Sequence, residues 1–287
     1  MKRSSLLLIL SFGCFPSICQ IAFDKNYEFL EHLSAIGAYK EGVHFINKNA
    51  SSYQVPGQSD TLNYLKGVFL YRLKSSKESI GSLSEVGNTN KTFMAHATFL
   101  SAFQYAYLGD HQSAESSLAT TNFERDLNRE LRLHLLAGIS LLKRDITQFD
   151  SYSTQFSRQY FQIAPFQDQF IQNKEGLLKA KRKSPLVAGV LSGVVPGAGK
   201  FYVGKVGEGY VTLLLSAILG LQVREAYKKD GPSSFRFKLF TGLFSTLYVA
   251  NIWGSVLSVK IYKDDFNETF DQAILLNMHV PIRTIFD

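Results

Sequence analysis

A run of 21 residues without a charged side chain, 239–259, constrains this chain more than any other feature of its sequence. As a helix with a rise of about 1.5 Å per residue, the run is about 32 Å long, which matches a hydrocarbon core of about 30 Å. A second uncharged run, 209–223, extends to Val206 if Glu208 lies at the interface, which makes a helix of about 27 Å between Lys205 and Arg224. We therefore predict a transmembrane hairpin over residues 206–260, followed by a C-terminal tail over 261–287.

The loop between the two runs predicts the orientation. Residues 224–238 contain five basic and two acidic residues, and short loops rich in Lys and Arg stay in the cytoplasm. Two crossings would then leave the tail and the N-terminal part of the chain on the same, outer side. We expect a protein of the inner (cytoplasmic) membrane of a bacterium, with its N-terminal domain on the periplasmic or outer side.

A third uncharged stretch, 184–199, precedes the hairpin. Gly189, Gly193 and Gly197 are spaced four residues apart in it, and small residues at this spacing on one helix face let helices pack closely in lipid. We interpret residues 185–195 as a short re-entrant or interfacial helix packed on the hairpin. A third full span is the alternative, and it would invert the hairpin loop or leave the tail on the inner side.

The Gly-rich segment 184–205 contains a motif that differs from a phosphate-binding loop. Such a loop has four residues between its first glycine and a Gly-Lys-Ser/Thr sequence, whereas here Val194 stands at the first glycine position and Phe201 follows Lys200. The segment also lacks Gly-x-Gly-x-x-Gly, because Tyr202 occupies the last glycine position. We expect no nucleotide and no other cofactor.

With the Ser184-Pro185 pair before it, the motif resembles the loop of small bacterial membrane domains with two spans, over residues 183–260. Those domains carry the pattern Pro-Gly-x-Gly-x-x-Tyr-x-Gly, which is present here as Pro196, Gly197, Gly199, Tyr202 and Gly204. Lys200 stands where a glutamine is common in the family. The resemblance implies a topology rather than an activity, with a tight interfacial turn and Tyr202 anchored at the lipid headgroups. A contact of this loop with a lipid headgroup or a peptide is the functional alternative.

The N-terminus has the composition of a secretory signal. Two basic residues precede an uncharged apolar run, 6–15, and the small residues Ser17 and Cys19 occupy the two positions that a signal peptidase reads. We therefore predict a signal peptide over residues 1–19. An uncleaved anchor and acylation at Cys14 are the alternatives.

The middle of the chain repeats. Breaks between helical patterns begin at Gly37, Lys74, Gly109 and Arg144, which are 37, 35 and 35 residues apart. A fixed period of 20–50 residues is typical of stacked supersecondary units. Small residues recur on both sides of the breaks, where they would let the two helices of a hairpin approach closely. They are Gly67, Ala102 and Ala137, seven residues before a break, and Gly42, Ser79 and Ala114, five residues after one.

This pattern resembles the tetratricopeptide repeat, and residues 107–114 match it best. The resemblance covers residues 24–156 as four degenerate units, without the proline that usually closes each unit. The last unit has Phe149 and Ser153 where a small and an apolar residue belong, so it is either a true repeat or an atypical cap. The resemblance implies a curved helical array whose concave face binds protein segments and which carries no catalytic residues.

The predicted fold class is therefore all-α. It consists of a tetratricopeptide-like α-solenoid of about four helical hairpins over residues 20–157, a connecting helix with a basic collar over 158–183, and the transmembrane hairpin. An ordinary helical bundle with a chance period is the alternative.

No arrangement of residues indicates catalysis or metal binding. The six histidines show no metal-binding spacing, and the sequence has no Gly-x-Ser-x-Gly nucleophile motif. Residues 20–178 carry 15 basic and 16 acidic side chains, whereas a nucleic-acid-binding surface needs clustered Lys and Arg. We expect neither an enzyme nor a nucleic-acid partner.

The predicted function is a non-catalytic, membrane-anchored scaffold that recruits protein partners at the cell envelope through the groove of its helical repeats and contacts membrane lipids. The alternative is a factor whose membrane domain is the active part, handling lipid or assisting membrane-protein assembly, with the repeat domain as an accessory.

Overall fold

The computed structural model describes residues 15–49, 55–121, 123, 125–179 and 183–286, with the side chains of 15–22 and 56 excepted. These residues form thirteen helices and no strand. Two helices near the C-terminus are long and apolar enough to cross a membrane. The prediction of an all-helical chain with two such C-terminal helices is confirmed. The predicted signal peptide, 1–19, lies mostly outside the described residues.

The first eight helices pair into four hairpins. They are α1 (Phe15–Ala35) with α2 (Tyr39–Asn49), α3 (Pro56–Arg72) with α4 (Ser76–Ser84), α5 (Lys91–Tyr107) with α6 (His111–Ala119), and α7 (Asp126–Leu142) with α8 (Ile146–Ser153). Each hairpin packs on the next, through α2 and α3, α4 and α5, and α6 and α7. The first helices of successive hairpins also touch, α3 with α5 and α5 with α7.

The same backbone conformation closes every hairpin. Gly37, Lys74, Gly109 and Arg144 have positive φ angles of 74°, 62°, 81° and 60°, and they are the residues at which the repeating breaks begin. A left-handed residue after a helix lets the next N–H groups bond back to carbonyls of the last turn, as Asp110 does to Tyr105 at 2.9 Å. Asp110 then caps α6 by accepting from the Ser113 N–H at 3.1 Å. The breaks that repeat in the sequence are therefore turns of one conformation, which recurs once in each hairpin.

Small residues lie at the seams of the hairpins. A Cβ added at Gly67 would come within 2.5 Å of the Leu83 side chain, and the Ser79 hydroxyl donates to the Gly67 carbonyl at 2.7 Å. The corresponding alanines Ala102, Ala114 and Ala137 are fully buried. In the fourth hairpin a large side chain, Phe149, is buried at the position where the other hairpins have a small one.

The chain divides into two compact units, of residues 15–170 with 275–286 and of residues 171–274. Helix α9 (Ala164–Lys179) begins in the first unit. The second unit contains α10 (Pro185–Val194), α11 (Ala198–Val203), α12 (Val206–Asp230) and most of α13 (Phe235–Phe286). Helix α13 continues without a break through the region predicted as a tail, and its last twelve described residues belong to the first unit.

Helix α10 lies within the third uncharged stretch. It has ten residues, which is about 15 Å of helix and about half of a hydrocarbon core. The backbone becomes extended at Val195, and the chain turns at Gly197 into α11. Helix α10 is therefore too short to cross a hydrocarbon core by itself, while the placement of the stretch as re-entrant or interfacial stays a prediction.

Candidate functional site

The end of α13 lies against the first helices of the hairpins. Residues 275–286, which we call the C-terminal segment, contact α3, α5 and α7, and we call this surface the groove. Met278 and Ile282 of the segment are fully buried, and Pro281 is buried as well. This surface of the first helices is thus occupied by the chain itself.

A buried histidine binds the backbone of the segment. His134 of α7 is fully buried, and its Nε2 lies 2.9 Å from the carbonyl oxygen of Asn277. Because that oxygen can only accept, Nε2 carries the proton, and the buried Nδ1 has no hydrogen-bond partner. Burial lowers the pKa of His134 to about 4, so the imidazole is neutral near pH 7. Its ring stacks on Phe170 with the ring centroids 4.5 Å apart.

A glycine next to this histidine brings the segment close to α7. A Cβ added at Gly138 would lie 2.6 Å from Cγ of Met278 and 3.0 Å from Cζ of Phe170. Real Cβ atoms do not approach other heavy atoms this closely, so Gly138 is the residue that admits Met278.

Aromatic rings hold the rest of the segment. His279 stacks on Phe103 of α5 with the centroids 4.7 Å apart, and its Nε2 lies 2.5 Å from the Tyr71 hydroxyl of α3. Phe286 stacks on His96 of α5 at 4.6 Å with nearly parallel rings. These contacts are apolar and hydrogen-bonding, so the groove is suited to holding a helix.

The second candidate site is the loop between α10 and α12, whose motif the sequence singled out. Gly197 and Gly204 have φ angles of 88° and 99°, which favour glycine. A Cβ at Gly197 would clash with the Gly209 carbonyl of α12, and one at Gly199 with the Ala188 carbonyl of α10. Glycine is therefore required at these positions, either by the φ angle or by the close approach of a backbone carbonyl. Pro196 is half-buried at the start of the turn.

Tyr202 closes the loop internally. Its hydroxyl accepts a hydrogen bond from the Ser184 N–H at 3.0 Å, and its carbonyl accepts one from the Lys183 ammonium, which also lies 4.9 Å from the Tyr202 ring centroid. Lys200 and Lys205 face Glu208, at 3.6 Å and 3.3 Å. The hydroxyl expected at the lipid headgroups is thus bonded within the protein.

The glycine stripe expected on one helix face is only partly formed. Gly189 packs on α13, where a Cβ would lie 3.1 Å from Val256. Gly193 has room, with Ile252 at 3.9 Å, and its carbonyl accepts from the Tyr248 hydroxyl at 2.6 Å. Gly197 lies beyond the end of α10 and faces α12, because the helix stops three residues earlier. A three-glycine stripe on one face is therefore wrong.

Polar side chains are buried where α10 meets α13. The Ser192 and Ser255 hydroxyls are 2.6 Å apart, and the Gly199 N–H donates to Ser192 at 2.9 Å. The Asn251 amide reaches the Ser192 carbonyl at 3.4 Å. Buried hydroxyl and amide groups need such partners, so this cluster stabilises the packing of the short helix on the long one.

The segment and its contacts were missed in the sequence because the residues that meet are distant along the chain. His134 and Asn277 are 143 residues apart, and a lone helical histidine carries no local signal of a ligand. One signal was present: Pro281 stands within an apolar pattern of helical spacing formed by Met278 and Ile282.

Comparison of the chain with protein-family models, with curated proteins and with solved structures finds no match. Among the described residues, no three His, Cys, Asp or Glu side chains are placed to hold a metal ion.

Proposed function

We propose that this chain is a non-catalytic scaffold anchored in the membrane, in which tetratricopeptide-like hairpins form a solenoid that recruits helical segments of protein partners at the cell envelope. The observation that carries the proposal is the groove on α3, α5 and α7, which holds an amphipathic helix through apolar and hydrogen-bonding contacts. A surface that accepts one such helix has the chemistry to accept another.

The anchor is supported by apolar surface that the protein leaves uncovered. Only 6% of the most apolar part of α12 is buried. On α10, one face packs on α13, while Leu186, Val190 and Val194 of the other face are exposed. Uncovered apolar surface of this size is stable in contact with lipid chains.

The proposed orientation in the membrane is supported by the number of crossings and by the charge of the hairpin loop. The residues on either side of the second unit, 170 and 275, both belong to the first unit, and this supports an even number of crossings, which α12 and α13 would provide. The basic residues of 224–238 then favour a cytoplasmic hairpin loop, with the helical hairpins on the periplasmic side of a bacterial inner membrane.

The recruitment is tested with a photo-crosslinking amino acid in living cells. Tyr107, exposed on α5 one turn after Phe103, is the test position, and Ser116, exposed on α6, is the matched control. We expect discrete crosslinked envelope proteins from position 107 and none from 116. Equal crosslinking from both positions, or none from either, would contradict recruitment by this surface.

A second candidate function places the activity in the second unit, residues 171–274. The buried cluster of Ser192, Asn251 and Ser255 favours it, because polar side chains at membrane depth are often functional. Ser255→Ala removes one hydroxyl with little change in packing. Loss of the cellular function of this variant, with normal abundance and unchanged crosslinking from position 107, would favour this candidate over the scaffold.

A further inference from the structure

We propose that the groove is a binding site for amphipathic helices that contain a proline, that the C-terminal segment is its resident and exchangeable occupant, and that His134 determines the specificity. The inference deepens the proposed function by naming the class of partner helix. It rests on the hydrogen bond between His134 and Asn277 and on the position of Pro281 four residues later.

Pro281 frees the group that His134 binds. In an α-helix the N–H of residue 281 would donate to the carbonyl of residue 277. Proline has no N–H, and its ring pushes away from that carbonyl, so the Asn277 oxygen is left without its helical donor. The Nε2–H of His134 supplies the missing donor at 2.9 Å.

His134 cannot take another partner in its place. The side chain is fully buried and stacked on Phe170, and its one hydrogen bond among the described residues is the bond to Asn277. A buried N–H that loses its acceptor destabilises the bound state by about tenfold or more in affinity. The groove should therefore prefer a helix that presents a free carbonyl, which means a proline four residues further on.

The side chains of the segment complete the description of the ligand. Met278, Ile282 and Phe286 are spaced four residues apart, so they lie along one helix face. Met278 fits over Gly138, and Phe286 stacks on the His96 ring. The partner helix would thus have apolar residues at i, i+4 and i+8, with proline at i+3.

The resident segment competes strongly because it is part of the same chain. A tethered ligand acts at an effective concentration on the order of millimolar, so a free helix binds only when the segment is released. The binding test therefore uses the full chain in detergent with Pro281→Ala and Phe286→Ala, which loosen the resident segment without removing it.

The probes are two fluorescent peptides with the sequence of residues 271–286, one of them carrying Pro281→Ala. We expect the proline peptide to bind the loosened chain about tenfold more tightly or better. Adding His134→Leu to the chain should bring the affinity ratio of the two peptides close to one, and His134→Gln, which keeps an N–H donor, should restore part of it. Equal affinities for the loosened chain that retains His134 would overturn the proposal, whether or not the His134 variants fold.

A disulfide tests whether the segment is the resident occupant. In Gly138→Cys with Met278→Cys, made with Cys14 and Cys19 replaced by serine, the two sulfurs are within bonding reach because position 138 faces Cγ of Met278. The oxidised chain should be monomeric and should bind neither peptide, and reduction should restore weak binding of the proline peptide. An intermolecular disulfide would assign the occupant to a second copy and overturn the proposal. The two proposals can fail separately. If no envelope protein crosslinks to position 107, the proposed recruitment is wrong, whereas the preference of the groove for the proline peptide is tested by the peptide affinities alone.

Discussion

At the scale of the residue, the groove depends on a few side chains whose roles follow from what they touch. His134 serves as a hydrogen-bond donor to a backbone carbonyl, because its surroundings exclude the charged form. Gly138 serves through the absence of a side chain. Neither role is visible from residue type alone, since a buried histidine and a helical glycine occur in many cores without a ligand.

His134 predicts how stability depends on pH. Its pKa is about 4 in the folded protein and about 6.5 when exposed, so the unfolded chain binds the proton more readily. The free energy of unfolding should therefore fall as the pH drops from about 6.5 to about 4, by about 3 kcal/mol in total. Thermal unfolding of the full chain in detergent, followed by circular dichroism, measures this change. His134→Gln should reduce the dependence of the unfolding free energy on pH in this range, because about one proton fewer is taken up on unfolding. An unchanged dependence on pH would contradict the assignment.

Gly138→Ala is expected to destabilise the first unit by about 1–2 kcal/mol. The added Cβ meets Met278 on one side and Phe170 on the other, and this overpacking outweighs the gain of up to about 1 kcal/mol in helix propensity. Gly81→Ala in α4 is the matched control, because its Cβ meets nothing within 4 Å, and it should be neutral or stabilising. Chemical denaturation of the two variants compares them, and the same sign for both would count against the close approach of Met278.

At the scale of the element, a repeated turn and a short helix carry the architecture. The turns at Gly37, Lys74, Gly109 and Arg144 share a left-handed backbone, although two of them place long basic side chains where glycine is favoured. The period could be read from the sequence because each turn interrupts an amphipathic pattern. The short helix predicted over residues 185–195 is observed as α10, Pro185–Val194.

Gly199→Ala is expected to disrupt the packing of α10 and α11 by more than about 2 kcal/mol. Its Cβ would collide with a backbone carbonyl of α10 that cannot move aside. At Gly193 the nearest atom is 3.9 Å from the added Cβ, so Gly193→Ala should be well tolerated. Limited proteolysis and thermal unfolding in detergent distinguish the two variants. Equal stability would mean that the loop does not pack as described.

At the scale of the whole molecule, the end of α13 belongs to the first unit, so the contacts in the groove bear on the topology in the membrane. Because the C-terminal segment packs on α3, α5 and α7, the segment and the hairpins must lie on the same side of any membrane that α12 and α13 cross. The two uncharged runs of the sequence predict the same side for the tail and the N-terminal domain, and this topology stays a prediction.

Cysteine labelling in intact cells tests this topology. In a chain without its two native cysteines, exposed residues are replaced at Ser116 on α6, Thr284 in the C-terminal segment and Ser233 in the hairpin loop. A membrane-impermeant maleimide should label positions 116 and 284 and should reach 233 only after lysis. Labelling of Ser233 in intact cells would reverse the orientation, and different behaviour of positions 116 and 284 would contradict the shared side.

The sequence by itself determined the helical class, the position of the hairpin turns and the two C-terminal helices that are long and apolar enough to cross a membrane. These properties depend on local patterns, namely the length of an uncharged run, the period of the breaks and the residues of each turn. Only the tertiary structure decided which backbone groups Gly197 and Gly199 approach, what Tyr202 contacts and which helix fills the groove. The contact between His134 and Asn277 joins residues 143 positions apart, and such a pairing arises from the shape of the packed hairpins, which no local pattern encodes.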